Sequence, residues 1–255
     1  MKKTLPYILS VSLFVYLIIV FTFASAKLRE VKCEGLQVVV DGTEENAFID
    51  ETEVLGIIKR GYGDIEGCNI VSVDKDSLEH ILVRNSVIKS AQVYYTLDGY
   101  FHVEITQRKP VLRIMSGEGY YVDEDGKIMP LSRKYTSRVV VATGNISRKF
   151  ACNGLYPFIM TLRNDEFWDA LVEQIVVEKG NEVVLIPKVG NFRIVLGTLD
   201  DMNEKLENLR LFLREGIVLK GWNVYKEINL KFKNQIVCVK SCLLYTSPSP
   251  RDATL

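Results

Sequence analysis

The chain opens on one unbroken apolar run and then breaks into short segments of period two and period 3.6. No charged residue occurs from Leu5 to Ala26, between Lys2-Lys3 on one side and Lys27 on the other. As a helix the run would be roughly 33 Å long, against a hydrocarbon core of about 30 Å. It predicts a single membrane anchor over residues 5–26, preceded by a cytoplasmic tail, residues 1–4. Ala24-Ser25-Ala26 also fits a signal-peptide cleavage site, but the apolar part of such a peptide is usually only about 7–15 residues, so the length favours a retained anchor. Lys2 and Lys3 suit an N-inside orientation, which places the bulk of the chain in the periplasm. Lys27, Arg29 and Lys32 on the far side weaken that asymmetry.

Beyond the run, Val31–Val40 reads as a strand interrupted by Gly35, and Asp41-Gly42 as a turn. Asp50 with Glu53 three residues on has the form of a capping box, and Val54, Ile57 and Ile58 follow at helical spacing. Gly61 and Gly63 end that helix. Asp74 starts a second, whose stripe is Leu78, Ile81 and Leu82. Ala91–Ile105 predicts a hairpin. A two-residue turn would oppose Val93 to Glu104 and mix the faces. A three-residue loop, Leu97-Asp98-Gly99, pairs Tyr95 with Phe101, Val93 with Val103 and Ala91 with Ile105, with Gly99 left-handed. Parity therefore selects the longer loop, and one apolar face results for the two helices to cover.

After Pro110 the pattern is mostly strand. Val111–Met115 is short, Val139–Ala142 leads into Thr143-Gly144, and Asn181–Gly197 reads as two strands around Val189-Gly190-Asn191. Asp200 is the expected cap of a helix with Met202, Leu206, Leu209 and Leu213 on one stripe. Tyr225–Asn234 and Gln235–Lys240 form a last hairpin. The fold class is α+β.

Composition removes some possibilities. Lys plus Arg equals Asp plus Glu at 32 each, so no global field points to nucleic acid. Cys242–Leu255, with two Ser-Pro steps, has no periodicity, resembles a translated sequencing adapter and is set apart as an artefact. The remaining cysteines, Cys33, Cys68, Cys152 and Cys238, form no C-x-x-C, so a zinc site is not expected. Cys33 and Cys68 could pair in an exported domain, but scattered cysteines are more often buried small apolar residues. His80 and His102 fall on polar faces. Asp123-Glu124-Asp125-Gly126 lacks the distal Glu of a calcium loop and reads as a turn. Phe167-Trp168 reads as buried rings, as does Trp222. No nucleophile, phosphate-loop or metalloprotease motif occurs. A non-enzymatic protein without cofactor or small-molecule substrate is expected.

The order strand, helix, helix, strand, strand after one anchor resembles the POTRA (polypeptide-transport-associated) domain. Asn85-Ser-Val-Ile-Lys-Ser-Ala-Gln-Val is similar to its NPxVxxAxV stretch, with Ser86 where Pro is usual. Gln107-Arg108-Lys109-Pro110 is similar to its ERxP. Tyr120–Leu131 resembles the YxVDExG segment opening the β domain of the FtsQ/DivIB cell-division proteins. Glu166-Phe167-Trp168 and Gln174-Ile175 fall where that family has a helix and a strand. The resemblance covers nearly all of residues 5–240 and is closest to a Bacteroidetes-like branch. It implies a POTRA-like domain over 27–109 and a mixed-sheet β domain with helices over 110–241. The chain would then be an inner-membrane divisome scaffold acting in septum formation. Its expected partners are FtsB-like and FtsL-like membrane coiled-coil proteins, bound by strand addition to the terminal strands. Aligning the family's IDLRY with Ile228–Phe232 nominates Phe232, Asn234, Gln235, Ile236, Val237, Cys238 and Val239 as the partner edge. Asn229 stands where Asp is usual, and Phe232 where Tyr is. Two other readings stay open: a POTRA-bearing protein of outer-membrane transport, and an anchored envelope hydrolase.

Overall fold

Apolar periodicity and polar caps set the local elements. In the computed structural model, which describes residues 5–28, 31–42, 48–132, 134–217 and 221–241, the N-terminal run is helix α1 (Leu5–Leu28). Side chains of α1 are described from residue 10 to 22, and Val11, Phe14 and Phe21 stand exposed there. That stretch spans roughly 20 Å as a helix. Among the described residues no helix is long and apolar enough to cross a membrane, so the expected anchor is not shown. The expected tail 1–4, the side chains of Lys27 and Arg29, and the segment 242–255 lie outside the described residues.

The chain divides into two compact units, Met1–Arg108 with Ser132–Ser137, and Lys109–Leu131 with Arg138–Leu255. The first contains β1 (Gly35–Val40), α2 (Glu51–Gly61), α3 (Lys75–Val83), β2 (Ile88–Tyr95) and β3 (Tyr100–Gln107). Asp50 caps α2 by accepting from the Glu53 N–H at 2.9 Å, and Asp74 caps α3 by accepting from Asp76 and Ser77. The β2–β3 hairpin has the register expected from parity, Tyr95 opposite Phe101, Val93 opposite Val103 and Ala91 opposite Ile105. Gly99 has φ 96°. A Cβ on Gly99 would come within 2.9 Å of the Lys32 carbonyl oxygen, so glycine is needed there for space as well as for conformation. Val54, Ile58, Leu78 and Leu82 cover Phe101, Val103 and Ile105, all buried.

Non-local pairing settled what the sequence pattern left open in this unit. β3 lies in the middle of the three-stranded sheet, with β1 parallel to it and β2 antiparallel. The first strand is shorter than expected because its ladder begins with Gly35 opposite Tyr100. Upstream, Lys32 instead bridges to Asn69. The buried side chain of Gln107 serves both as acceptor, from Phe48 N–H at 2.7 Å and Ile49 N–H at 3.2 Å, and as donor, to the Asp41 carbonyl at 2.8 Å. Lys134 completes the unit from far along the chain, 2.6 Å from Asp50 and 3.0 Å from Glu53. The Tyr135 ring meets Phe48 edge-on at 5.0 Å. Lys134, with the Glu53 N–H and the Thr52 hydroxyl, lowers the Asp50 carboxyl to a pKa of about 2.

The second unit is a nine-stranded mixed sheet. Its strands are β4 (Pro110–Met115), β5 (Tyr120–Asp123), β6 (Ile128–Met129), β7 (Val140–Gly144), β8 (Val172–Val177), β9 (Val183–Pro187), β10 (Arg193–Gly197), β11 (Tyr225–Asn229) and β12 (Val237–Lys240). Their order is β12-β11-β10-β9-β8-β7-β4-β5-β6. Parallel neighbours require crossovers. Between β7 and β8 the crossover is α4 (Arg148–Phe150), a π-helical turn Ala151–Leu155, α5 (Tyr156–Arg163) and α6 (Glu166–Leu171). Between β10 and β11 it is α7 (Met202–Leu211), running on into a second π-helical turn, Phe212–Ile217.

Two features of this unit depart from expectation. The helical stretch 148–163 was not anticipated, although Ala151, Leu155, Phe158, Ile159 and Leu162 are all buried at helical spacing. Gly154 and Pro157 obscure that period in the sequence, and the π-helical turn shifts its phase. Asp200 does not cap α7. Asp201 holds that position with φ 52° and no side-chain capping bond. Asp123-Glu124-Asp125-Gly126 is the expected turn, with the buried Asp123 carboxylate accepting from the N–H groups of Asp125 and Lys127.

Candidate interaction edge

The terminal hairpin grows from the middle of the sheet outward. β11 runs parallel to β10, with Ile194 opposite Ile228, and β12 returns antiparallel to β11, with Cys238 opposite Ile228 and Val237 opposite Asn229. Among the described residues no strand pairs with β12 on its other side. Its side chains alternate: Ile236 and Cys238 pack against the core, whereas Val237 and Val239 remain 42% and 48% exposed. An edge strand with branched apolar side chains outward keeps one row of backbone N–H and C=O groups open to a further strand.

The nominated residues fall into two groups. Val237, Cys238 and Val239 lie on β12. Phe232, Asn234, Gln235 and Ile236 lie in the connection from β11, so the expected strands Tyr225–Asn234 and Gln235–Lys240 are both shorter. The reason is local. The Asn229 side chain accepts from the Lys231 N–H at 3.0 Å, Asn234 has φ 58°, and the Gln235 N–H donates to the Phe232 carbonyl at 3.3 Å. These bonds turn the chain before the ladder can extend. Phe232 projects from that turn, 56% exposed.

Beside the connection lies an open groove of about 650 Å³, with α7 and the π-helical turn as its other wall. Glu204, Lys205, Leu211 and Glu215 face Phe232 and Lys233 across it. Ion pairs hold the surrounding strands: Arg193 with Glu227 at 2.7 Å, and Lys231 with Glu182 at 2.7 Å. The site thus offers an outermost strand among the described residues, the exposed aliphatic side chains of Val237, Val239 and Leu211, one exposed ring and charges of both signs. Sequence reasoning missed the helical wall. Leu211, 56% exposed, falls off the stripe of Leu206, Leu209 and Leu213, and that misplacement was the available signal.

The remaining candidates take structural places. Trp168 is buried, and the Arg210 guanidinium lies 5.4 Å from its ring and pairs with Asp165. That pairing holds the Asp165 carboxyl below its usual range. Trp222 stacks on Phe192 at 6.2 Å. His80 is exposed, and His102 stacks on Tyr94 at 5.1 Å. Cys33, Cys68 and Cys152 are free thiols. Among the described residues no group of three His, Cys, Asp or Glu is placed to hold a metal ion.

A family model described as FtsQ/DivIB, C-terminal related, matches residues 109–239. The chain belongs to that family. A model described as a POTRA-like domain matches residues 31–106. Among curated proteins, none matches the chain. In this FtsQ/DivIB-related chain the family match ends within β12, so the terminal hairpin falls almost wholly inside the matched region.

Proposed function

We propose that this FtsQ/DivIB-related chain is a non-enzymatic scaffold of the cell-division machinery, tethered to the inner membrane by α1 with its two folded units in the periplasm. Its partners are FtsB-like and FtsL-like coiled-coil membrane proteins, joined through the β12 edge during septum formation. The observation that carries this reading is that, among the described residues, β12 ends the nine-stranded sheet with no strand beyond it. An incoming strand would gain backbone hydrogen bonds of about 0.5–1.5 kcal/mol each, so side-chain contacts at Phe232, Val237 and Val239 must supply the selectivity. The uncharged run 5–26 supports the tether, and Lys2 and Lys3 support an N-inside orientation. Gln107-Arg108-Lys109-Pro110 supports the Bacteroidetes-like branch.

The test is co-purification of the full chain with FtsB-like and FtsL-like partners, with and without Gln235–Lys240. Loss of capture on deletion, with melting otherwise retained, is the expected result. Capture that survives the deletion rejects the edge while leaving the scaffold reading in place. Absence of capture by the intact chain rejects both.

A further inference from the structure

Cys33 and Cys68 meet on paired backbone in the first unit. The Cys33 N–H donates to the Cys68 carbonyl at 2.8 Å, and the Gly67 N–H donates to the Cys33 carbonyl at 2.8 Å. One residue along, Lys32 bridges antiparallel to Asn69, and the Ile70 N–H donates to the Val31 carbonyl at 3.1 Å. Gly67 has φ 78°. Together these are the marks of a bulge in which Gly67 and Cys68 oppose Cys33, with the glycine in the left-handed position. Opposed residues in such a ladder have Cα atoms about 4.5–5.5 Å apart, inside the window of about 4.4–6.8 Å that a disulfide spans.

Neither thiol is tied down. The Cys33 sulfur makes a 3.6 Å contact to the Gly35 carbonyl and the Cys68 sulfur a 3.8 Å contact to the Asp64 carbonyl. Thiols are weak donors, so turning either side chain costs little. Cys33 is buried and Cys68 is exposed. Burial raises the Cys33 thiol above its usual range, and the Cys68 thiol adds to that rise. Cys68 is therefore the accessible partner, and Cys33 the resolving one.

We propose that Cys33 and Cys68 form a disulfide clasp across this bulge in the oxidising compartment outside the inner membrane. The Cys68 thiolate attacks a small-molecule or protein disulfide, forming a mixed disulfide and releasing one thiol. Cys33 then attacks the Cys68 sulfur, releasing the second thiol. Two cysteine thiols are oxidised, one external disulfide is reduced to two thiols, and the protons of the cysteines pass to the released thiolates. The clasp closes the loop between residues 33 and 68 and fixes the chain just before β1, an edge strand paired to β3 alone. Tension arriving through α1 would enter the unit at that point. The location and the load rest on the tethered reading above; the pairing chemistry does not.

The test uses the purified full chain in oxidised glutathione. Intact mass should fall by about 2 Da, two fewer thiols should react with a maleimide, and a linked peptide should join Cys33 to Cys68. The melting midpoint of the first unit should rise by about 5 °C or more and return on reduction with dithiothreitol. Cys68→Ser, at an exposed position, should fold and lose all four signatures; Cys152→Ser and Cys238→Ser should keep them. Full alkylation of the oxidised chain, or stable glutathione on Cys68 with Cys33 still free, overturns the clasp. Either result leaves partner capture untouched, so the two proposals fail separately.

Discussion

The two sheets end in different ways. In the first unit one of the two outer strands, β2, turns its Val93 N–H away from the sheet, and the Glu79 carboxylate on α3 accepts it at 2.8 Å. A side chain of the same unit thus occupies a position that an incoming strand would need. In the second unit no described strand pairs with the outer side of β12, and its exposed valines and the nearby Phe232 offer apolar contact. At the far side of that sheet β6 is only the two residues Ile128–Met129, too short to template another chain. Of the four sheet edges, β2 is blunted by a carboxylate and β6 by brevity, whereas β1 and β12 end their sheets among the described residues. Of these two, β12 is the one proposed to bind.

The largest expected effect comes from proline placed singly at 237, 238, 239 and 240. Backbone N–H groups of an edge strand alternate between its neighbour and solvent. At inward positions proline removes a ladder bond to β11 and lowers the melting midpoint. At outward positions it removes only a donor offered to a partner, so capture should drop more than tenfold with melting unchanged. Equal losses of both properties at every position would show that the edge is not selective.

Next comes Glu79→Ala, which should destabilise the first unit by about 1–2 kcal/mol, because a hydrogen bond to a charged acceptor is lost from a partly buried N–H. It also opens β2. Concentration-dependent self-association, read by sedimentation, is expected of this variant and not of the parent. An unchanged sedimentation profile would mean that Glu79 does not guard the edge. Phe232→Ala should lower partner affinity about tenfold and leave stability within about 0.5 kcal/mol, since the ring is exposed. A large fall in stability instead would make the ring structural.

The smallest effect concerns Lys134. Hydrogen bonds from Lys134 and the Glu53 N–H hold the folded Asp50 carboxyl at about 2, well below the usual carboxylate range. A depressed folded pKa contributes stability above the unfolded value, and this is lost as pH falls from about 4 towards 2. The pair is exposed, so Lys134→Ala should lower the melting midpoint only slightly at neutral pH, with the difference from the parent shrinking across that acid window. A difference that stays constant down to pH 2 would assign the loss to packing rather than charge.

Local chemistry made much of this fold legible before any coordinates. The Asp50 and Asp74 caps follow from side-chain acceptors placed before apolar stripes. The hairpin register follows from parity, which left the three-residue loop with Gly99 as the solution that keeps one apolar face. The family resemblance pointed to the terminal hairpin. Less legible was the helix through Ala151, Leu155 and Leu162, because a π-helical turn changes phase and Pro157 reads as a breaker. The Phe232 turn was also missed, because it depends on Asn229 bonding to Lys231 and on a left-handed Asn234.

What the sequence determined by itself was the Asp50 and Asp74 caps, the apolar stripes, the parity of the β2–β3 turn and the apolar N-terminal run, each with its cause inside a few residues. Only tertiary structure decided the sheet orders, the parallel pairing of β1 with β3, the docking of Lys134 on Asp50, the meeting of Cys33 with Cys68, and which strands lie outermost. Those depend on residues tens of positions apart. Their pairing is set by which apolar faces can be buried together, a competition that no local window contains.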